Sequence, residues 1–540
     1  MNVILVETPA QAKRVAEALG AGWRVEPCAG LEQDAPDPAH TGVRPPFAPA
    51  EASDRRARVR QALAECQAVY AATPPGPAGE WLAWRALALA HTPPATVCRV
   101  TLSALMAPAI REAFADPRPL NRSAIEAEAA RRQIEPLTAE VVAAAARQHG
   151  HALPAVSRTA LVALCRLAAP AEPTADGWTL ALRVRLGEIG LRAAVHTADG
   201  ARIRLSTPER AQAAVRMLQT AQYWVTRSGQ REHVLHAPAP CTVPALLLEA
   251  ERWLGIVPAD ALRLLATLYD ATWITHPEAA PPARLYADAR DFIRSEYGAA
   301  YVPEELTAPA GGIAPADIRR IPDALPGDGA ALYRLIWTRF VAAQLPPARL
   351  RQTGVQLGVG ADRERPYPLT LWGLHTRIAF DGWLRLMPEA LSPSEDELPE
   401  VLAGDAVRFS QAEVERLASD AGQPDAGTTA AALIARHGSA RPAACCAALQ
   451  ALEAADLVRM DGDRLTLSER GAALAAWLGE RFPALVGDDA DAGLERALQH
   501  IAAGTRERDP VVHAFRERLS ADLRRASPPR PVVLRPAQEV

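Results

Sequence analysis

The chain has 540 residues, too many for one ordinary hydrophobic core, and a length prior gives roughly three or four domains. Its 49% apolar and 23% charged residues are those of a soluble globular protein. The formal charge of -4 excludes a globally cationic body, so nucleic-acid binding would need a local arginine-lined groove.

The opening segment, Met1 to Glu7, lacks a basic stretch and is too short an apolar run for a signal peptide, and no later stretch approaches a membrane span. The seven cysteines (28, 66, 98, 165, 241, 445 and 446) contain no C-x-x-C pair, which argues against zinc ribbons and against a disulfide framework. A cytoplasmic protein with reduced thiols and no membrane partner is expected. Residues 2–6 read as a buried strand ending at Glu7, then a helix with Pro9 near its first turn and Gly20 past its end. Residues 26–57, rich in Pro, Ala and Asp, read as a long loop. A second strand over 68–72 carries Pro74-Pro75-Gly76-Pro77 at its carboxyl end, before a helix starting near Glu80. Strand ends of this kind are where open α/β sheets place ligands.

Residues 104–170 are alanine-rich and helical, with helices expected at 104–114 and 155–167. Residues 178–206 alternate apolar and polar, a half-buried strand pattern with a turn near Asp199-Gly200. Helical segments over 243–275 and 283–345 follow, and 353–410 return to a β-rich pattern, so one β domain is expected to be interrupted by a helical one. Residues 428–482 read as helix, Gly438, helix and a hairpin over 457–465, a winged-helix pattern. The proline-rich tail from Ser527 predicts disorder.

Several separated motifs, in order, carry a resemblance. Val6-Glu7-Thr8-Pro9-Ala10-Gln11-Ala12-Lys13 resembles the opening Val-Glu-Ser-Pro-Ala-Lys-Ala-Lys of type IA DNA topoisomerases, with Gln11 for the first lysine. Ile110 to Arg118 is similar to the family's Ala-Phe-x-Asn-Pro-Arg segment. Pro240 to Ala250 with Leu254-Gly255, the stretch from Leu268-Tyr269 to Thr275, and Leu332 to Phe340 resemble successive segments of its gate domain. Gly438-Ser439-Ala440-Arg441-Pro442 resembles Gly-Ile-Gly-Arg-Pro near the family's C-terminus. Colinearity makes the set far more specific than any single motif.

The resemblance implies an α/β plus α+β multidomain torus. Its parts would be a Toprim-like domain (1–118), a helical base (119–172), a β-rich arch (173–238), a gate domain (239–350), the second part of the arch (351–410) and a helical, winged-helix-containing base (411–526), followed by the tail (527–540).

The family's metal loop reads Ala-Thr-Asp-Pro-Asp-Arg-Glu-Gly-Glu, and here the matching stretch is Ala72-Thr73-Pro74-Pro75-Gly76-Pro77-Ala78-Gly79-Glu80. Pro74, Gly76 and Ala78 stand where three metal-binding carboxylates would be. Magnesium needs hard oxygen ligands, which these side chains do not supply, so no metal cofactor is expected. The family's attacking tyrosine lies in Ile-Thr-Tyr-Met-Arg-Thr-Asp-Ser. The stretch from Ile274 to Pro281 puts His276 at that position and Glu278 at the neighbouring arginine. A phosphate would then meet a carboxylate where a cation should stabilise its charge. Ala104 likewise replaces a family glutamate.

The catalytic candidates that the resemblance leaves are His276, Glu7 and Lys13, the only lysine among the chain's 59 basic residues. Histidine can form phosphoryl adducts, and a compact ammonium is poorly replaced by a guanidinium near a reacting phosphate. Arg158, Arg319 and Arg441 keep motif positions that face DNA in the family, which makes them the expected phosphate contacts. The leading expectation is a catalytically degenerate homologue that binds single-stranded or junction DNA and acts through a protein partner whose identity the sequence does not give. The rivals are a topoisomerase with residual strand passage through an unusual site, and an interaction protein without DNA binding.

Overall fold

The computed structural model describes residues 2–31, 49–90, 94–151, 153–154, 156–169, 177–303, 312–327, 329–394, 398–417, 426–437, 442–461 and 464–526. The chain opens with β1 (Asn2–Val6), α1 (Pro9–Leu19), β2 (Trp23–Pro27), α2 (Pro49–Ala64), β3 (Ala68–Ala72), α3 (Gly76–Leu87), β4 (Thr96–Arg99) and α4 (Ala107–Ala115). The four strands form a parallel sheet in the order β2-β1-β3-β4. Parallel strands are stable only when both faces are covered, and β1 shows how this sequence meets that need. Ile4 and Val6 join the large core, while Val3 and Leu5 join a separate core with Val59 and Leu63 of α2 and Leu82 and Ala86 of α3.

Two features differ from the loop expected over 26–57. Trp23–Pro27 pairs with β1 as an edge strand, and a helix begins at Pro49. Proline is tolerated in a helix's first turn, and Val59, Ala62 and Leu63 give the short apolar face that docks the helix on the sheet. The remainder of that segment, 32–48, lies outside the described residues.

Next come α5 (Arg122–Gln148) and α6 (Arg158–Ala168), then β5 (Gly177–Leu186), β6 (Ile189–Thr197), α7 (Pro208–Gln219) and β7 (Gln222–Leu235). The chain then leaves the β layer for α8 (Val243–Leu254), α9 (Pro258–Asp270), α10 (Ala283–Tyr297) and α11 (Ala330–Ala343). It returns as β8 (Ala348–Gly360), β9 (Pro366–Phe380) and β10 (Ala406–Leu417). These six strands close a barrel in the order β10-β5-β6-β9-β8-β7. Leu235 pairs with Ala348, so the two ends of the helical insertion are adjacent. Alternate residues Leu180, Leu182 and Val184 of β5 and Val355, Leu357 and Val359 of β8 fill the interior. The tight turn between β5 and β6 sits at Gly187, whose φ of 62° a side-chain-bearing residue adopts reluctantly. Asp199-Gly200 forms a second turn beyond β6, and β10 continues past 410 to Leu417.

The C-terminal part consists of α12 (Ala426–His437), α13 (Pro442–Ala454), the hairpin β11 (Val458–Asp461) and β12 (Arg464–Leu467), then α14 (Glu469–Arg481), α15 (Pro483–Val486), α16 (Asp488–Ala502) and α17 (Arg508–Ala526). Gly438 to Arg441 and the tail from Ser527 lie outside the described residues. Among the described residues no helix is long and apolar enough to cross a membrane.

Candidate functional site

The carboxyl ends of β1 and β3 face the segment that follows α9. On the β1 side, Thr8 caps α1 by accepting from the Gln11 amide at 3.2 Å, and buried Gln11 turns its Oε1 back to accept from the Glu7 N–H at 3.2 Å. This reciprocal cap fixes Glu7 at the strand end. Thr8 Oγ1 also reaches Asp270 Oδ2 at 3.5 Å, and Gln11 bonds Asp270 as well, joining the N-terminal sheet to the last turn of α9.

The loop after β3 is held by side-chain hydrogen bonds to its backbone. Thr73 Oγ1 donates to the Gly79 carbonyl at 2.7 Å, and a Cβ on Gly79 would lie 1.7 Å from the Pro74 oxygen, so only glycine lets the loop close on α3. Fully buried Arg99 donates to the carbonyls of Ala71 at 2.9 Å, Val100 at 2.6 Å and Pro74 at 2.5 Å, and to Glu80 Oε1 at 3.2 Å. Glu80 in turn accepts from Arg118 at 2.5 Å and from the Asn121 N–H at 3.1 Å, at the start of α5. The motif carboxylate that remains is therefore a structural hub. Pro74, Gly76 and Ala78 add no oxygen ligand from their side chains, so the donor set does not fit a magnesium ion.

Opposite, the segment after α9 is pinned by backbone hydrogen bonds. Thr275 donates to the Ala314 carbonyl at 2.8 Å, and His276 N–H donates across the seam to the Ser103 carbonyl at 2.7 Å. Ser103 lies in the loop before α4, which starts at Ala107 rather than at the expected 104. The His276 ring packs edge-on to Tyr269 at 5.0 Å. Its Nδ1 accepts from the Glu278 N–H at 3.1 Å, so a neutral ring carries its proton on Nε2. Burial, with Arg99 nearby, pushes the imidazole down to about 4, which leaves it neutral at pH 7. A neutral His276 thus has its free lone pair occupied and a donor at its other nitrogen.

Burial and the facing Glu7 carboxylate push Glu278 up to about 7. The place where a phosphate would need positive charge is therefore lined by two carboxyl groups, Glu7 and Glu278. Tyr269 spends its hydroxyl on the Leu102 carbonyl at 2.9 Å, and burial pushes its phenol up from the usual range.

The structure thus brings together Glu7, His276 and Glu278. Lys13 is exposed on α1, with no ion pair among the described residues. Arg319 is exposed beside the segment that bridges Ile274 to Pro315, and its backbone N–H bonds Asp317 at 3.0 Å. Arg441 lies outside the described residues.

Arg158 corrects its sequence expectation. It is 1% exposed, its guanidinium pairs with Asp491 and with Glu495 at 2.6 Å, and its backbone N–H bonds Glu135 at 3.1 Å. Arg131 adds a bidentate pair to Glu495 at 2.8 and 2.9 Å. This cluster ties α5, α6 and α16 together, and its carboxylates occupy the groups that a phosphate would need. Sequence reasoning also missed Arg99 and Glu80 as the loop's anchors. The retained glutamate after Gly79 was the one available signal.

A family profile described as DNA topoisomerase matches residues 178–513. DNA topoisomerase 1 of Zymomonas mobilis is 27% identical, aligned over 95% of this chain and 45% of its own length. DNA topoisomerase 1 of Pasteurella multocida is 25% identical over 97% of this chain and 67% of its own, and that of Haemophilus influenzae is 26% identical over 85% and 54%. The chain therefore spans about half to two thirds of these relatives. Full-length topoisomerase I from Thermotoga maritima superposes with a TM-score of 0.80 at 18% identity, covering 97% of this chain and 91% of that one, a likeness of fold.

Proposed function

Since the chain belongs to the type IA DNA topoisomerase family, we propose that it binds single-stranded or junction DNA without cleaving and resealing it, and acts through a protein partner. The observation that carries this reading is the seam between Glu7 and His276. The residue at the position of the attacking phenol is a neutral imidazole whose Nδ1 is held by the Glu278 amide, and the group beside it is a carboxyl rather than a guanidinium. Strand cleavage by this family's route needs an attacking oxygen, positive charge on the phosphate and carboxylates for the metal. Pro74, Gly76 and Ala78 supply no metal carboxylate, His276 no attacking oxygen and Glu278 no positive charge.

Phosphate binding by arginine is positional and does not depend on the cleavage chemistry, so DNA affinity can outlast it. Exposed Arg319, beside the same segment, is the candidate contact that the reading retains. Incubating the full chain with negatively supercoiled plasmid, with and without magnesium, tests the first half. No relaxed topoisomers are expected, and a ladder abolished by His276→Ala would refute it. Titration with an oligonucleotide across salt tests the second half, with affinity falling as ionic strength rises.

A further inference from the structure

The outward face of the barrel, on β7, β8 and β9, carries residues that the seam does not use. Register aligns Arg227 of β7 with Gln356 of β8, and Gln356 with Trp372 of β9. These three side chains therefore form a row across three strands, on the side opposite the interior residues Leu357 and Leu371. Trp372 is 44% exposed, and two residues along the same face Leu374 is 50% exposed. Arg227 is exposed and makes no ion pair among the described residues.

The floor beside this row is bare backbone on β7 and β8. Gly229 pairs with Gly354, and Gly354 with Leu374. A Cβ added to Gly229 would meet nothing within 4 Å, and one added to Gly354 would meet only the Gly229 oxygen at 4.0 Å. The row on the other side is also built from a glycine, because Trp224 lies across Gly358, where a Cβ would come within 2.6 Å of the indole. Arg231, held by Gln352 at 3.0 Å, closes the far side of the trough.

Charge distinguishes this face from an ordinary exposed apolar patch. Arg227 and Arg231 put two guanidinium groups on this face within a chain of net charge -4. A flat, half-exposed indole beside an amide, with free guanidinium at one edge and no side chains at Gly229 and Gly354, matches what unpaired nucleotides need. A base stacks on the aromatic face and its phosphates lie toward the cations.

We propose that the outer face of β7, β8 and β9 binds a segment of single-stranded nucleic acid, with a base stacked on Trp372 and backbone phosphates at Arg227 and Arg231. The proposal rests on the DNA-binding reading above and adds a second contact surface to it.

The test is fluorescence-anisotropy titration of the full chain with a labelled oligothymidylate of about 20 nucleotides, long enough for several stacked bases and phosphate contacts. Trp372→Ala is expected to weaken binding roughly five- to a hundredfold, and Trp372→Phe to keep most of the affinity. Arg227→Ala should reduce the slope of log K against log salt by about 0.7, the loss of one phosphate contact on a single strand. Irradiating the parent with a 5-iodouracil oligonucleotide should cross-link it to the peptide spanning 366–380, a readout that needs no variant. Parent-like affinity in both Ala variants, with cross-links elsewhere, would overturn the proposal and leave the seam reading standing. A parent that binds no oligonucleotide would remove both. A dimer that sedimentation shows to dissociate in Trp372→Ala, with unchanged DNA affinity, would assign the face to a second copy of the chain instead.

Discussion

Glu278 and His276 oppose each other in their response to pH, and each should become visible when the other is removed. The folded state holds the Glu278 proton more tightly than an exposed carboxyl does, with a pKa of about 7 against 4.5. Ionising it therefore works against folding: the penalty is absent below pH 4.5, grows as pH rises and is complete above about 7. His276 is shifted the other way, to about 4 from 6.5. Its penalty is absent above pH 6.5 and grows as pH falls toward 4.

Each slope is about 1.4 kcal/mol per pH unit, a tenfold change in the local opening constant. Between pH 4.5 and 6.5 the two cancel, so the parent's seam should open with nearly constant free energy. Glu278→Gln leaves the histidine slope and should lose stability as pH falls below 6.5. His276→Asn, whose amide oxygen can still accept from the Glu278 N–H, leaves the carboxyl slope and should lose stability as pH rises to 7. Hydrogen exchange at the Thr275 and His276 amides, corrected for intrinsic rates, reads this opening directly because their partners are Ala314 and Ser103. Parallel pH profiles in the parent and both variants would mean that these groups titrate as if in water, and the dry seam would be wrong.

Other consequences are as direct. Arg158→Ala should destabilise the packing of α5, α6 and α16 by about 3–5 kcal/mol, because buried Asp491 and Glu495 each lose the guanidinium that offsets their charge. Denaturant melts should show this, while oligonucleotide affinity of the folded fraction stays at the parent value. Gly79→Ala should cost more than about 2 kcal/mol, since its methyl group meets the Pro74 carbonyl and the loop must open; a parent-like melting temperature would refute the close approach. Magnesium at about a hundred times a sub-millimolar dissociation constant would add about 2.7 kcal/mol to a chain with a specific site. The expected change in melting temperature between chelator and magnesium is nil.

The fold was legible where the sequence repeats one simple constraint. Residues 2–6 and 68–72 are short apolar runs, and they pair as β1 and β3 in the N-terminal sheet. The interruption of the β domain could be read from the return of alternation after 353, and β7 pairs with β8 across the insertion. Helix α2 escaped because most of its residues are charged or alanine and only three small apolar contacts anchor it. The residues at the site's motif positions were legible in the sequence. Their new contacts were not, since Arg158 meets Asp491 from 333 residues away and Thr8 meets Asp270 from 262. Motif position alone placed Arg158 against phosphate; three-dimensional packing gave it carboxylates instead.

The persistence of the loop without its acids has a physical cause in how it is tied. Three carboxylates gathered on one turn repel one another and need a cation to hold them together. Here the turn is closed by Arg99 on the carbonyls of Ala71, Val100 and Pro74, by Thr73 on Gly79, and by Glu80 bridging Arg99, Arg118 and Asn121. None of those ties passes through positions 74, 76 or 78 as side chains. Replacing acids there removes mutual repulsion without removing a support, so the strand-end geometry can survive the loss of ligands. The ties that shape the loop therefore run through atoms other than the side chains at 74, 76 and 78. Across the seam, His276 is fixed both by its backbone bond to Ser103 and by its ring, whose Nδ1 accepts from the Glu278 N–H.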